Sequence, residues 1–309
     1  MERYCTDLAK TLNNELKIFL VMENADINDY LFLEAVEAID EGNKDLLQSL
    51  ILKHPRLITD PLDYPVEGYF KNPYLLWFVA DNPIRIEKLP NNIRDITAML
   101  IRHVKENAKN AELQLNYTLG LVATGRIPKE CGVQIELMDL LIEEGAKTGG
   151  ALGALANGNT EAALFLLERG EKINLPIATG LNLLHHVEKL FPTSNNDERV
   201  TALTVAAFFG NSTISKFLLD NGTNPNGYPQ RESGFHSHAT PLHQAVYSGS
   251  LAVVKLLVEG GADLEAKDKI FEATVPGWVE YFLSEESLDK SSRDKYEAIA
   301  LYLKEIQTR

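Results

Sequence analysis

Apolar residues along the chain recur three and four positions apart, stop at a small or polar loop residue, and then resume. The clearest unit begins at Thr240: TPLHQAVYSGSLAVVKLLVEGGADLEAKD. Thr240 and Pro241 open a short helix that carries Leu242, Ala245 and Val246 on its inner side. Gly249 breaks that helix. Leu251, Val254, Leu256 and Leu257 supply the apolar positions of a second helix, and Gly261 caps it.

The same interval of twelve from loop residue to cap returns elsewhere. Gly210 to Gly222 encloses NSTISKFLLDN, Gly158 to Gly170 encloses NTEAALFLLER, and Val133 to Gly145 encloses QIELMDLLIEE. Weaker copies run from Asn92 to Val104 and from Gly42 to His54. A last copy starts at Thr274, thirty-four residues after Thr240, and its second helix resumes after a polar insert at DKYEAIALYLKEI. Neither helix of such a pair can bury its apolar stripe alone, so neighbouring copies must stack to make a core. The spacing predicts an all-α, elongated helix-pair solenoid of six or seven units, with degenerate repeats, long loop insertions and atypical terminal caps.

TPLHQA at 240–245 and GGADLEAKD at 260–268, with TALTVA at 201–206 as a degenerate copy, resemble the ankyrin repeat. The resemblance covers residues 30–309 and is closest over 200–285. The segments TLGLVATGRIPKECGVQIELMDLLIEEGA and ALGALANGNTEAALFLLERG are similar to those of uncharacterised bacterial ankyrin-repeat proteins. The resemblance implies a stack of L-shaped helix pairs with projecting hairpins and a concave protein-binding face. It also gives His243 the place of the histidine in the TPLH pattern, where the imidazole bonds backbone in the repeat turn. It implies no shared partner.

The expected organisation is a single repeat domain over 1–309. Residues 1–70 form a helical cap and an irregular finger, 71–170 degenerate repeats, and 171–200 an insert with an extra helix, GLNLLHHVEKLF. Residues 201–273 hold the best-matching repeats and 274–309 a capping repeat. Leu8, Leu12, Leu16 and Phe19 recur at helical spacing in the first cap helix, Pro55 ends the first pair, and PLDYPVEGYFK is too rich in proline and glycine for a helix.

Charge narrows the choice of partner. Thirty Lys and Arg against 44 Asp and Glu leave a formal net charge of -14, which opposes binding to nucleic acid or an anionic membrane and favours a protein with a basic patch. Cys5 and Cys131 are the only cysteines and lie far apart, consistent with reduced thiols in the cytoplasm. The N-terminus has charges throughout and lacks the apolar core of a secretory signal, and no later stretch reaches the length of a membrane span.

The apparent chemistry is thin. His236 and His238 stand two apart in an expanded loop and could face one way, but a zinc site needs further ligands, and His243 is occupied by the repeat turn. His185 and His186, adjacent on a helix, diverge by about 100°, with one expected to be buried. Cys131 precedes a helix N-terminus but has no identifiable base. GGALGALANGN lacks the preceding strand of a dinucleotide site. No catalytic, cofactor or metal residue is nominated.

Binding is expected instead on the first helices and loops. Tyr247 and Ser248 approach the concave surface, Phe208 and Phe209 occupy the matching positions of TALTVAAFFG, and Phe78 extends the surface toward the N-terminus. Tyr228, Arg231, Phe235, His236 and His238 in the expanded loop combine aromatic area with hydrogen-bonding groups, and Lys267, Lys269 and Phe271 add a patch at the next hairpin. Two other functions remain open at this point: an enzyme or metal-binding protein using the expanded loops, and a self-assembling structural protein.

Overall fold

The computed structural model describes residues 23–65, 68–230, 233–285 and 287–308. The cap helix expected around Leu8–Phe19 lies outside them, as does Arg231. Among the described residues the chain is all-α, and its one bridge of β type joins Lys267 to Thr274. Eight helix pairs follow one another.

The first four pairs belong to a compact unit drawn from Asn14–Glu171. They are α1 (Tyr30–Asp40) with α2 (Lys44–Lys53), then a 3-10 helix (Leu75–Ala80) with α4 (Ile93–Asn107); the short α3 (Arg56–Thr59) precedes the second pair. Next, α5 (Ala111–Thr124) leads through α6 (Arg126–Glu130) to α7 (Gln134–Glu143), and α8 (Ala151–Ala156) pairs with α9 (Thr160–Glu168). The other four pairs form a unit drawn from Lys172–Arg309. They are α10 (Leu175–Gly180) with α11 (Leu184–Leu190), α12 (Asn196–Phe208) with α13 (Ser212–Asp220), α14 (Pro241–Tyr247) with α15 (Leu251–Glu259), and α16 (Val275–Ser284) with α17 (Lys290–Gln307). Within each unit, first helices pack on neighbouring first helices; second helices do so from α4 to α7 to α9 and from α13 to α15 to α17, and the short α3 packs on α4.

One turn accounts for the regularity. Gly249 adopts φ +65, its N–H bonds the Val246 carbonyl, and the Ser250 N–H reaches back to Ala245. This paired closure satisfies carbonyls that a helix end leaves open, and its left-handed residue disfavours a Cβ. Gly210, Gly158 and Gly42 close their first helices in the same way, and Gly132 closes the short α6. Asn182 (φ 56) does so too, so the stretch 171–200 holds a helix pair rather than one added helix. Gly261, Gly222, Gly170 and Gly145 repeat the closure at the ends of second helices.

Two registers shift. The left-handed residue before α7 is Gly132, with Val133 one step later as N-cap. Val104 is no cap: it is buried inside α4, which runs on to Asn107.

In the first unit, Phe78 is 1% exposed. This corrects its expected place on a binding face. The 3-10 helix Leu75–Ala80 turns all six of its side chains inward, and Phe78 packs edge-on against Phe32 and Phe70 beneath the Arg85 guanidinium. Arg85 grips Asp40 through two bonds of 2.8 and 2.9 Å, almost fully out of water. Asp81 caps the following turn by accepting from the N–H groups of Arg85 and Glu87. The proline-rich finger is clasped at its base, where Leu62 N–H bonds Pro73 and Asn72 N–H bonds Tyr64.

The second unit has a continuous core that includes Ala202, Leu203, Ala206, Leu242, Ala245, Val246, Val253, Val254 and Leu257. Leu256, expected to share it, is only half-buried, because its position on α15 turns it toward the rim while Val253 takes the inward place.

Candidate protein-binding face

The face is built from one residue type at one repeat position. Counting seven residues from Thr201, Thr240 and Thr274 gives Phe208, Tyr247 and Tyr281. Each stands near the end of a first helix, α12, α14 or α16, and these helices lie side by side. The Phe208 and Tyr247 rings stack 5.2 Å apart at 20°. Tyr247 meets Phe282 at 6.1 Å, and Phe282 stacks on Tyr296 of α17 at 4.8 Å. The Tyr296 hydroxyl donates to the Tyr247 carbonyl, fixing the end of α14 against the last pair. Tyr247 is 41% exposed, and Phe209, beside Phe208, is 44% exposed. Aromatic rings held this way offer contact area with little side-chain freedom left to lose.

Residues 233–239 of the expanded loop do not project. Phe235 is 0% exposed, wedged between Phe208 at 5.0 Å and Phe209 at 5.8 Å, so it supports the face from below and presents nothing itself. His236 adopts φ 44 and sets its ring against Tyr247 (4.9 Å) and Phe208 (5.8 Å) while Nδ1–H donates to Gln244 Oε1. His238 lies 5.7 Å from His236 and packs on Phe271 and Trp278; its carbonyl accepts from the Lys269 N–H. Burial pushes the His236 imidazole below its ordinary range. The same cause, reinforced by His236 and opposed by Asp268, takes His238 down to about 4.

Tyr228, Lys267 and Lys269 meet at the next hairpin. The Tyr228 hydroxyl donates to the Lys267 carbonyl, and the Lys269 ammonium lies 3.7 Å from the centre of the Tyr228 ring. Asp268 builds this hairpin: its buried carboxylate accepts from the N–H groups of Ile270, Phe271 and Ala273 and from Trp278 Nε1. Phe271 is half-buried, whereas Ile270 stands 54% exposed at the tip.

His243 is wholly structural. Its Nε2–H donates to the Ala273 carbonyl of the following repeat at 3.2 Å, which leaves Nδ1 to accept from the Thr240 hydroxyl at 2.8 Å. Carbonyl oxygen only accepts, so the tautomer is fixed. His185 and His186 are both exposed, correcting the expectation that one is buried. Cys131 is exposed at the end of α6. Among the described residues no three His, Cys, Asp or Glu converge on a metal position, and no helix is long and apolar enough to cross a membrane.

Phe209 stands at the position matching Ser248, as the repeat register predicts, whereas Ile270, Tyr281 and Phe282 are not marked by the sequence reading. The count from Thr274 that yields Tyr281 was available there. Exposure of Ile270 depends on the Asp268 turn and could not be counted.

The family model for ankyrin repeats matches residues 175–268 in three copies. The chain is 42% identical over 60 residues to the potassium channel GORK of Arabidopsis thaliana, covering 19% of this chain and 7% of that one. It is 21% identical over 192 residues to the human transient receptor potential cation channel subfamily A member 1, covering 62% and 16%. It thus spans under a fifth of the length of either relative. Among solved structures, the human ASB11 ankyrin repeat domain aligns over 85% of this chain and 96% of that one, at 16% identity and a TM-score of 0.35. Residues 175–268 of this chain carry ankyrin repeats.

Proposed function

We propose that the chain is a protein-interaction module, and that its partner docks on the first-helix face around Phe208, Phe209 and Tyr247. Ankyrin repeats serve as protein-binding modules, and the observation that carries the particular site is the stacked aromatic column across α12 and α14, open to solvent at Phe209 and Tyr247. Tyr228, Lys267, Lys269 and Ile270 form a second contact region on the hairpin side of the same repeats. The partner is a protein with a basic patch, since the chain carries a formal charge of -14. The two widely spaced cysteines suit a reducing cytoplasm as the place of encounter.

Affinity capture with the full chain, compared with Phe209→Ala and Tyr247→Ala variants shown to be folded, tests the site. The expected result is selective loss of the same protein from both variants, followed by direct binding of that purified protein to the wild type. Retention of every captured protein by both variants would overturn the assignment and move the interface to another face.

A further inference from the structure

Gln244 occupies a place its helix would normally expose. It stands three residues before Tyr247 on α14, so both side chains leave the same face of the helix. Tyr247 is 41% exposed, yet Gln244 is fully buried. Residues 233–239 of the expanded loop make the difference. His236 lies over Gln244 through the bond from Nδ1–H to Oε1, and Phe235 covers one side of Phe208. The segment is folded on itself by the Ala239 N–H on the His236 carbonyl and tied to the hairpin by the Lys269 N–H on the His238 carbonyl.

The closed arrangement carries costs of its own. His236 is held in the left-handed backbone region at φ 44, which a residue with a Cβ disfavours. Gln244 Nε2 is buried without a hydrogen-bond partner. Two imidazoles face each other at 5.7 Å within a wall of rings formed by Phe208, Tyr247, Phe271 and Trp278. A cation placed there loses its water and meets a like charge as soon as the second ring protonates.

We propose that residues 233–239 form an acid-released strap: protonation of the paired imidazoles of His236 and His238 opens it from the first-helix face and uncovers Phe208 and Gln244 beside Tyr247. The groups facing the pair bear this out element by element. The contacting residue of α12, Phe208, is uncharged. From α14 come Gln244, Tyr247 and the neutral His243, and from α16 comes Trp278. The hairpin supplies Asp268 and Lys269. Among the described residues Asp268 is the carboxylate that attracts the His238 imidazolium, and its oxygens are already engaged by three N–H groups and the Trp278 indole. Lys269 directs its ammonium to Tyr228. Burial and the mutual repulsion of the rings therefore outweigh the attraction, as the depression of both imidazoles below their ordinary range indicates.

The sign follows from linkage. In the open strap both rings titrate near the ordinary value of 6.5, whereas in the closed strap they resist protonation. Closure is fully favoured above pH 6.5 and weakens as pH falls, by up to about tenfold per pH unit for each histidine, levelling off for His238 near 4.

Hydrogen exchange of the full chain between pH 7 and pH 4.5, corrected for the intrinsic pH dependence of exchange, reads this directly and needs no partner. It therefore stands or falls separately from the proposed function. The Ala239 and Lys269 amides should lose at least tenfold in protection while amides within α14 and α15 keep theirs. In the double variant His236→Asn/His238→Gln, whose asparagine tolerates the left-handed backbone, the pH dependence should vanish. Undiminished protection of both amides at pH 4.5 would overturn the proposal. So would a pH dependence that survives in the double variant, or strap amides that open only together with α14 and α15, because His243 or global unfolding would then be responsible.

Discussion

The Tyr247 ring lies 5.2 Å from that of Phe208 and within 20° of parallel, although thirty-nine residues separate them in the chain. Only a repeat brings them together: each ends the first helix of its pair, and α12 and α14 pack along their length. A contact face of this kind is a property of the stack and belongs to no single repeat.

Binding energy should concentrate on that column. Tyr247→Ala and Phe209→Ala, each removing an exposed ring, are expected to weaken a purified partner by about 2 kcal/mol, or roughly 30-fold in Kd. Lys216→Ala on α13, an exposed second-helix position paired only with Asp220, is expected to change nothing. Titration calorimetry or surface binding with the three variants checks the contrast. Equal losses in all three would point to charge rather than ring contact.

The two adjacent leucines of α15 should separate in stability. Leu257 is fully buried in the core, so Leu257→Ala removes its packing and leaves a cavity, at a cost of about 2–5 kcal/mol. Leu256 keeps part of its surface in water, and Leu256→Ala should cost well under half as much. Urea unfolding of the two variants gives the ratio. Equal costs would place Leu256 in the core after all.

Much of this fold was legible in the sequence because its turns are chemical. A glycine in the left-handed region marks the end of a first helix, and Gly210, Gly158, Gly249 and Gly42 could be aligned by that fact alone. Where another residue does the same work the pattern was missed: Asn182 closes α10, and the pair it joins looked like an insertion. The site was less legible. Phe78 and Phe208 are both aromatic residues in apolar surroundings, but one lies in a 3-10 helix that buries every side chain and the other at the end of a helix with a solvent edge. Phe235 sits in a polar loop whose composition suggests exposure, yet the loop folds back and drives it to 0% exposure. Burial of a loop residue depends on where distant chain returns, which local periodicity does not record.

Arg85 joins the 82–92 turn to α1 in the first unit. Its guanidinium binds Asp40 bidentately and reaches the Phe78 carbonyl, with its side chain 2% exposed. Arg85→Met should cost about 3–5 kcal/mol, because the Asp40 carboxylate is left without its partner and Asp81 without the nearby positive charge. Adding Asp40→Leu should recover a sizeable part of that loss, since the apolar pair removes the Asp40 charge and leaves only Asp81, which keeps its backbone N–H donors. Denaturant unfolding of the single and double variants measures the difference. A double variant as unstable as the sum of two single losses would contradict this account.

His243 offers a test in which pH separates a structural hydrogen bond from simple packing. The ring joins its own repeat to the next, accepting from the Thr240 hydroxyl at Nδ1 and donating to the Ala273 carbonyl at Nε2. His243→Ala leaves both partners short of a bond and should lower stability by about 1–3 kcal/mol at pH 7.5. Binding of a purified partner, measured at a temperature where both proteins are folded, should change far less. The bond at Nδ1 requires the neutral ring, and burial pushes the imidazole below its ordinary value of 6.5 in the folded chain. The stability it contributes is therefore complete above pH 6.5 and is lost progressively as pH falls below that value. His236 and His238 are present in both proteins, so their titration largely cancels in the difference, leaving only the smallest of the influences on His238, that of His243 itself. The gap between wild type and variant should be widest at pH 7–8 and shrink steadily toward pH 5, as read by urea unfolding at each pH. A gap that stays constant over that range would mean that Nδ1 is not an obligatory acceptor and that the ring contributes only its volume.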